Sequence, residues 1–122
     1  MARNFDKAKS LAQEYIDIFG KDNFFLEVQD HKLAEDKEVN AGLLKLSKEM
    51  NIPLVATNDA HYVYREDAKI QDVLMCIQMQ KTLDDPSRMK FPNDEFYIKS
   101  REEMEGLFAF APQALDNTLE IA

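Results

Sequence analysis

The sequence predicts an α/β fold, on two observations. An amphipathic helix lies between two short apolar, β-favouring runs, which is the pattern of a βαβ unit. The chain has 122 residues with 45% hydrophobic and 31% charged side chains, an ordinary globular composition with no low-complexity tract and no internal repeat. A formal charge of −8 argues against a free-standing nucleic-acid binder, because neutralising phosphate needs a basic face. One cysteine allows no internal disulfide. The apolar runs fall far short of the roughly 20 residues of a membrane span, and no secretory signal follows Met1, so a cytoplasmic protein with no membrane partner is expected.

The elements follow in order. Phe5, Ala8, Ala12, Tyr15 and Phe19 share one helical face, widened by Leu11 and Ile18, and Gly20 is placed to end the helix. Asn23–Gln29 is aromatic-rich and reads as a strand. Asp36–Asn51 is a second helix, with Val39, Leu43, Leu46 and Met50 on one side. Pro53–Thr57 has the apolar run of a buried parallel strand. Asn58–Tyr62 leaves it as a loop. A third helix is expected over Arg65–Met79, with Ile70, Val73, Leu74 and Ile77 as its apolar stripe. Gln80–Asp94 is expected to be an irregular crossing loop, and Glu95–Lys99 a short strand. Ser100 and Glu103 form a capping-box signature for a helix reaching Phe108. Pro112 suits the first position of a final helix to Ala122, with Leu115, Leu119 and Ala122 on one side.

The most informative chemistry lies in Asp59-Ala60-His61, just past the end of the second strand. Ligands gather at that edge of parallel sheets. In an extended chain, residues two apart point the same way, so this carboxylate and imidazole could converge on one divalent ion such as Zn²⁺ or Mn²⁺. The plainer alternative makes Asp59 a turn residue and His61 a surface group. Glu27, inside the first strand, is expected to face solvent, and His31 to lie in the polar loop after it. Cys76 is expected to be a buried, inert thiol. There is no Gly-rich phosphate loop, no CxxC and no Ser-His-Asp order.

Two longer stretches resemble a known family. Phe24–His31 is similar to the F-x-x-E-x-Q-x-H stretch of bacterial replicative DNA polymerase III alpha subunits. Pro53–Tyr62 resembles that family's P-hydrophobic-V-A-T-N-D-x-H-Y element. Phe96-Tyr97-Ile98-Lys99-Ser100 and Asn117–Ala122 continue the resemblance in order, over essentially the whole chain. It implies a helix-rich fragment of a distorted (βα)₇ barrel, the polymerase and histidinol phosphatase (PHP) domain, plus the helical lead-in to the polymerase core. Residues 1–64 would be the C-terminal βαβ portion of the PHP domain and 65–122 the link to the core. Asp59 and His61 match the family's late D-x-H metal ligands; no ligand role is carried onto Glu27 or His31.

The implied cofactors are Zn²⁺ or Mn²⁺ in the intact PHP site and Mg²⁺ in the polymerase core, with none held by this piece alone. The implied partners of the whole protein are primer-template DNA, deoxynucleotides and other replisome subunits. The piece itself is expected to be inactive and not to bind nucleic acid, and an exposed barrel edge makes self-association an expectation. Two alternatives stay open: a stand-alone PHP-type phosphoesterase, for which two histidines are few, and a non-enzymatic acidic interaction module.

Overall fold

A computed structural model describes residues 4–122. They divide into two compact units. The first contains the chain up to Thr57 together with Glu102–Ala122; the second is Asn58–Arg101.

In the first unit, helix α1 spans Phe5–Phe19, the range its periodicity predicts. Asn4 Oδ1 caps it by accepting the Lys7 N–H at 2.9 Å. Gly20 ends it at φ 87°, a backbone conformation glycine adopts without strain, and donates its N–H to the Ile16 carbonyl at 2.8 Å. The expected strand from Asn23 starts later. Asn23 donates its side-chain amide to the Phe19 carbonyl at 2.9 Å and its backbone N–H to Gly20, which holds Lys21–Asn23 in a 3₁₀ turn. Strand β1 is therefore only Leu26–Val28.

Helix α2, Ala34–Met50, starts two residues earlier than predicted. The Asp36 carboxylate accepts the backbone N–H groups of His31, at 2.7 Å, and Leu33, at 3.3 Å, and so organises the turn ahead of it. Asn51, at φ 53°, stops the helix in the left-handed region that Asn tolerates. Strand β2, Leu54–Ala56, then pairs in parallel with β1, Leu26 opposite Leu54 and Val28 opposite Ala56, so the predicted parallel pair is present. The ladder is extended by Leu26 N–H to the Pro53 carbonyl, 2.9 Å, and Thr57 N–H to the Val28 carbonyl, 3.1 Å. Asn40, buried on α2, donates its amide to the Gln29 carbonyl at 2.9 Å and ties the helix to the end of β1.

Helix α4 covers Arg101–Leu107 and α5 covers Gln113–Ile121. Between them Phe108 turns inward and is 1% exposed, in a core with Val28, Ile52, Leu26, Leu46, Leu54, Ala114 and Leu115. Alternate residues of a parallel strand turn their peptide groups to opposite sides. Leu54 turns its carbonyl away from β1, where the Asn117 side-chain amide on α5 donates to it at 2.7 Å. Several expected core residues face outward: Leu11, Ile18 and Phe19 of α1 and Leu119 of α5 are exposed, while Ala12, Ala114 and Leu115 are buried.

In the second unit, a 3₁₀ turn at Arg65–Asp67 precedes helix α3, Ala68–Met79. The predicted apolar stripe is not the face that packs. Ile70, Val73, Leu74 and Ile77 are exposed, Ile77 at 69%, while Cys76 is buried as expected. The cause is electrostatic. Arg88 grips the Asp72 carboxylate with both terminal nitrogens, Nη2 to Oδ2 at 2.9 Å, and draws the 80–94 segment over the Asp72 side of the helix. That segment is a set of tight turns. Lys81 Nζ donates to Asp85 Oδ2 at 2.9 Å, and the Asp85 carboxylate also accepts the Ser87 N–H and hydroxyl. The predicted strand Glu95–Lys99 reduces to a single parallel bridge, Tyr62 to Tyr97.

Two predictions follow from this packing. Phe108→Ala is expected to destabilise the chain by about 3–5 kcal/mol, measured by urea unfolding, because it empties a closed core site. A loss under about 1 kcal/mol would show that the site collapses freely. The Arg88 hydrogen bond holds the Asp72 carboxyl below its ordinary value of 3.8, and Lys81, then Ser87, do the same for Asp85. Depressed carboxyls stabilise the fold above their unfolded pKa, and this contribution is lost as pH falls through the folded values. Carboxyl ¹³C titration is expected to place both midpoints below 3.8, with Arg88→Met returning Asp72 to the ordinary value. Unshifted midpoints in the parent chain contradict the pairing.

Candidate functional site

The site is built on the exit from β2. Thr57 makes the last rung of the ladder, and the next residue, Asn58, begins the loop that the second unit holds. Asp59 takes φ 46°, a left-handed conformation that Asp accepts more readily than most residues. The turn brings Asp59 Oδ1 to 3.2 Å from His61 Nε2. The two predicted residues do come together, through a left-handed turn rather than by the alternation of an extended strand. Both side chains remain accessible, at 48% and 40% exposure.

The loop is fixed from the 95–98 segment. The Phe96 carbonyl accepts the His61 N–H at 2.8 Å and the Tyr62 N–H at 3.3 Å, and Ile98 N–H donates to the Tyr62 carbonyl at 3.2 Å. The imidazole stands against an aromatic wall, 4.7 Å from the Phe91 ring centre and 6.1 Å from that of Phe96. Tyr62 Oη accepts the Phe96 N–H at 3.3 Å, and partial burial pushes its phenol pKa up.

An exposed imidazole and carboxylate with ligand atoms 3.2 Å apart suit two neighbouring positions around one divalent ion. Ligand atoms at roughly 2.1 Å from a metal, subtending 90–109°, lie roughly 3.0–3.4 Å from each other. The same separation serves a direct hydrogen bond. Two ligand atoms fill part of a four-coordinate shell. Among the described residues no group of three or more His, Cys, Asp or Glu is arranged to hold a metal.

Glu27 faces solvent as expected, its Oε1 accepting from the Thr57 hydroxyl and, at 3.5 Å, from the Gln29 amide. His31 does lie in the loop after β1, but its ring is buried rather than displayed, with Nδ1 3.9 Å from Asp36 Oδ2. Periodicity missed the polar group beneath the loop. Lys99 Nζ donates to Asn58 Oδ1 at 2.9 Å and to the Glu95 carbonyl, and lies 4.5 Å over the Tyr97 ring. Arg65 donates to Glu95 Oε1 at 2.7 Å and to Tyr97 Oη at 3.3 Å; this Tyr97 bond is the first cause that raises the guanidinium pKa. The only signal in the sequence was the apolar-aromatic setting of Lys99 within Phe96–Ser100.

No protein-family model matches the chain. Curated relatives match it along nearly its whole length. A DNA polymerase III subunit alpha of Treponema pallidum is 48% identical over 95% of the chain, that of Helicobacter pylori 47% over 99%, and that of Thermus aquaticus 47% over 96%. The chain spans about a tenth of the length of each of them. Identity at this level along a continuous stretch leaves no room for a chance likeness of short motifs, and the chain belongs, as one segment, to the DNA polymerase III alpha subunit family.

Proposed function

We propose that the chain forms part of a template-directed DNA polymerase and contributes Asp59 and His61 as two ligands of a divalent-metal site in a PHP-type barrel. The observation that carries this reading is the exposed Asp59–His61 pair with ligand atoms 3.2 Å apart, on a loop leaving a parallel strand. Residues 1–64 would supply the closing βαβ portion of the barrel, and residues 65–122 would lead to the polymerase core. Zn²⁺ or Mn²⁺ suits a carboxylate and imidazole pair, and when bound would supply Lewis acidity or cross-link the barrel. In this reading Mg²⁺, primer-template DNA, deoxynucleotides and other replisome subunits are bound by other parts of a whole cytoplasmic protein.

This chain's own residues do three things at the site. Asp59 offers a carboxylate oxygen. His61 offers Nε2 from a ring braced by Phe91 and Phe96. The Phe96 carbonyl holds the two backbone N–H groups that follow Ala60. A net charge of −8 disfavours direct contact with DNA by this segment. The chain alone is expected to be catalytically silent.

Mn²⁺ titration followed by NMR tests the ligand role. Broadening is expected first at Ala60 and His61, at weak affinity, and is expected to vanish in Asp59→Ala and in His61→Ala. Broadening that ignores both substitutions overturns the assignment. Tight, His61-dependent binding with phosphoester hydrolysis would favour the stand-alone phosphoesterase instead.

A further inference from the structure

The Asp59–His61 turn is anchored at both ends by one segment, and its leading end is tied through a buried cation. The Lys99 side chain is 1% exposed. Its ammonium donates to Asn58 Oδ1 at 2.9 Å and to the Glu95 carbonyl, and stands 3.6 Å from Glu95 Oε2. Asn58 in turn donates its amide to the Tyr97 carbonyl. The residue immediately before Asp59 is therefore held at both the oxygen and the nitrogen of its side-chain amide. At the trailing end, His61 and Tyr62 share the Phe96 carbonyl. Between the two grips lies the left-handed Asp59.

We propose that Lys99 is the positioning residue of this loop: through Asn58 it fixes where the left-handed turn begins, and so where Asp59 and His61 present their ligand atoms. A charge so nearly removed from water is costly unless it is paired and hydrogen-bonded. Simple salt-bridge stabilisation does not require the contact with Asn58, because Arg65 already pairs with Glu95 at 2.7 Å. The Asn58 contact directs the ammonium at the loop. Lys99 does not touch the ligand position itself; it acts through the side-chain amide of Asn58. The metal consequence rests on the ligand reading above, whereas the loop-positioning consequence does not.

Amide hydrogen exchange of the full 122-residue chain tests it. In Asn58→Ala, which removes the tie and leaves Lys99 beside Glu95, exchange at His61 and Tyr62 is expected to rise about tenfold, the effect of losing one good hydrogen bond. The amides of α3 and of Val28 are expected to keep their rates. Lys99→Met is expected to give the same local pattern; if that variant fails to fold, Asn58→Asp, which keeps an acceptor for Lys99 and removes only the donor to Tyr97, decides by keeping the parent rates where Asn58→Ala does not. Site-localised Mn²⁺ broadening should weaken in parallel in both variants. Unchanged exchange at His61 and Tyr62 in Asn58→Ala or Lys99→Met, or acceleration spread evenly through α3, overturns the proposal and leaves Lys99 as a general stabiliser of the second unit. Absence of Mn²⁺ broadening in the parent chain overturns the ligand reading alone, and the exchange pattern still decides the role of Lys99.

Discussion

Six residues of parallel ladder, Leu26–Val28 against Leu54–Ala56, set the constraint on which the rest depends. A two-stranded sheet this short is not stable alone. It persists because its buried positions are covered by helices from both sequence directions: α2 crosses between the strands, and α5 returns from the end of the chain to pack on β2. Phe108 fills the space at the centre, and Asn117 satisfies a carbonyl that a third strand would otherwise take. The ladder also determines where the loop with Asp59 begins, because Thr57 makes its last rung.

The second unit is organised differently. Few of its apolar side chains are buried, and its geometry comes from paired charges: Arg88 with Asp72, Arg65 with Glu95, and Lys99 with Glu95 and Asn58. Such pairs contribute little net stability when water is their alternative, but the buried ones are directional and admit few arrangements. That suits a loop whose two candidate ligand atoms must be held near each other while both stay accessible.

The fold was legible in the sequence where the signal was hydrophobic period. Phe5–Phe19 and the crossover helix followed from spacing, and the two flanking strands from a short β-favouring run and a short apolar run. It was not legible where polar contacts decided the outcome. The amide of Asn23 shortened β1, and the carboxylate of Asp36 moved the start of α2. On α3 the period was correct but its interpretation was not: Arg88 selected the Asp72 face, and the stripe from Ile70 to Ile77 stayed outside. Asp59 and His61 could be named because their spacing is local. Lys99 could not, because its partner Asn58 is 41 residues away and no periodicity links them.

The first unit is discontinuous in sequence, and that has a consequence for the order of events as the chain is made. Residues 58–101 form a contiguous block and can close as soon as they leave the ribosome. The strand pair ahead of them must wait, because Phe108, Leu115 and Asn117, which complete its core and edge, are synthesised about fifty to sixty residues after β2. Contacts at such separation slow folding through the cost of closing the intervening loop. A compact 58–101 block shortens that loop in effect and lowers the cost of returning α5 to β2.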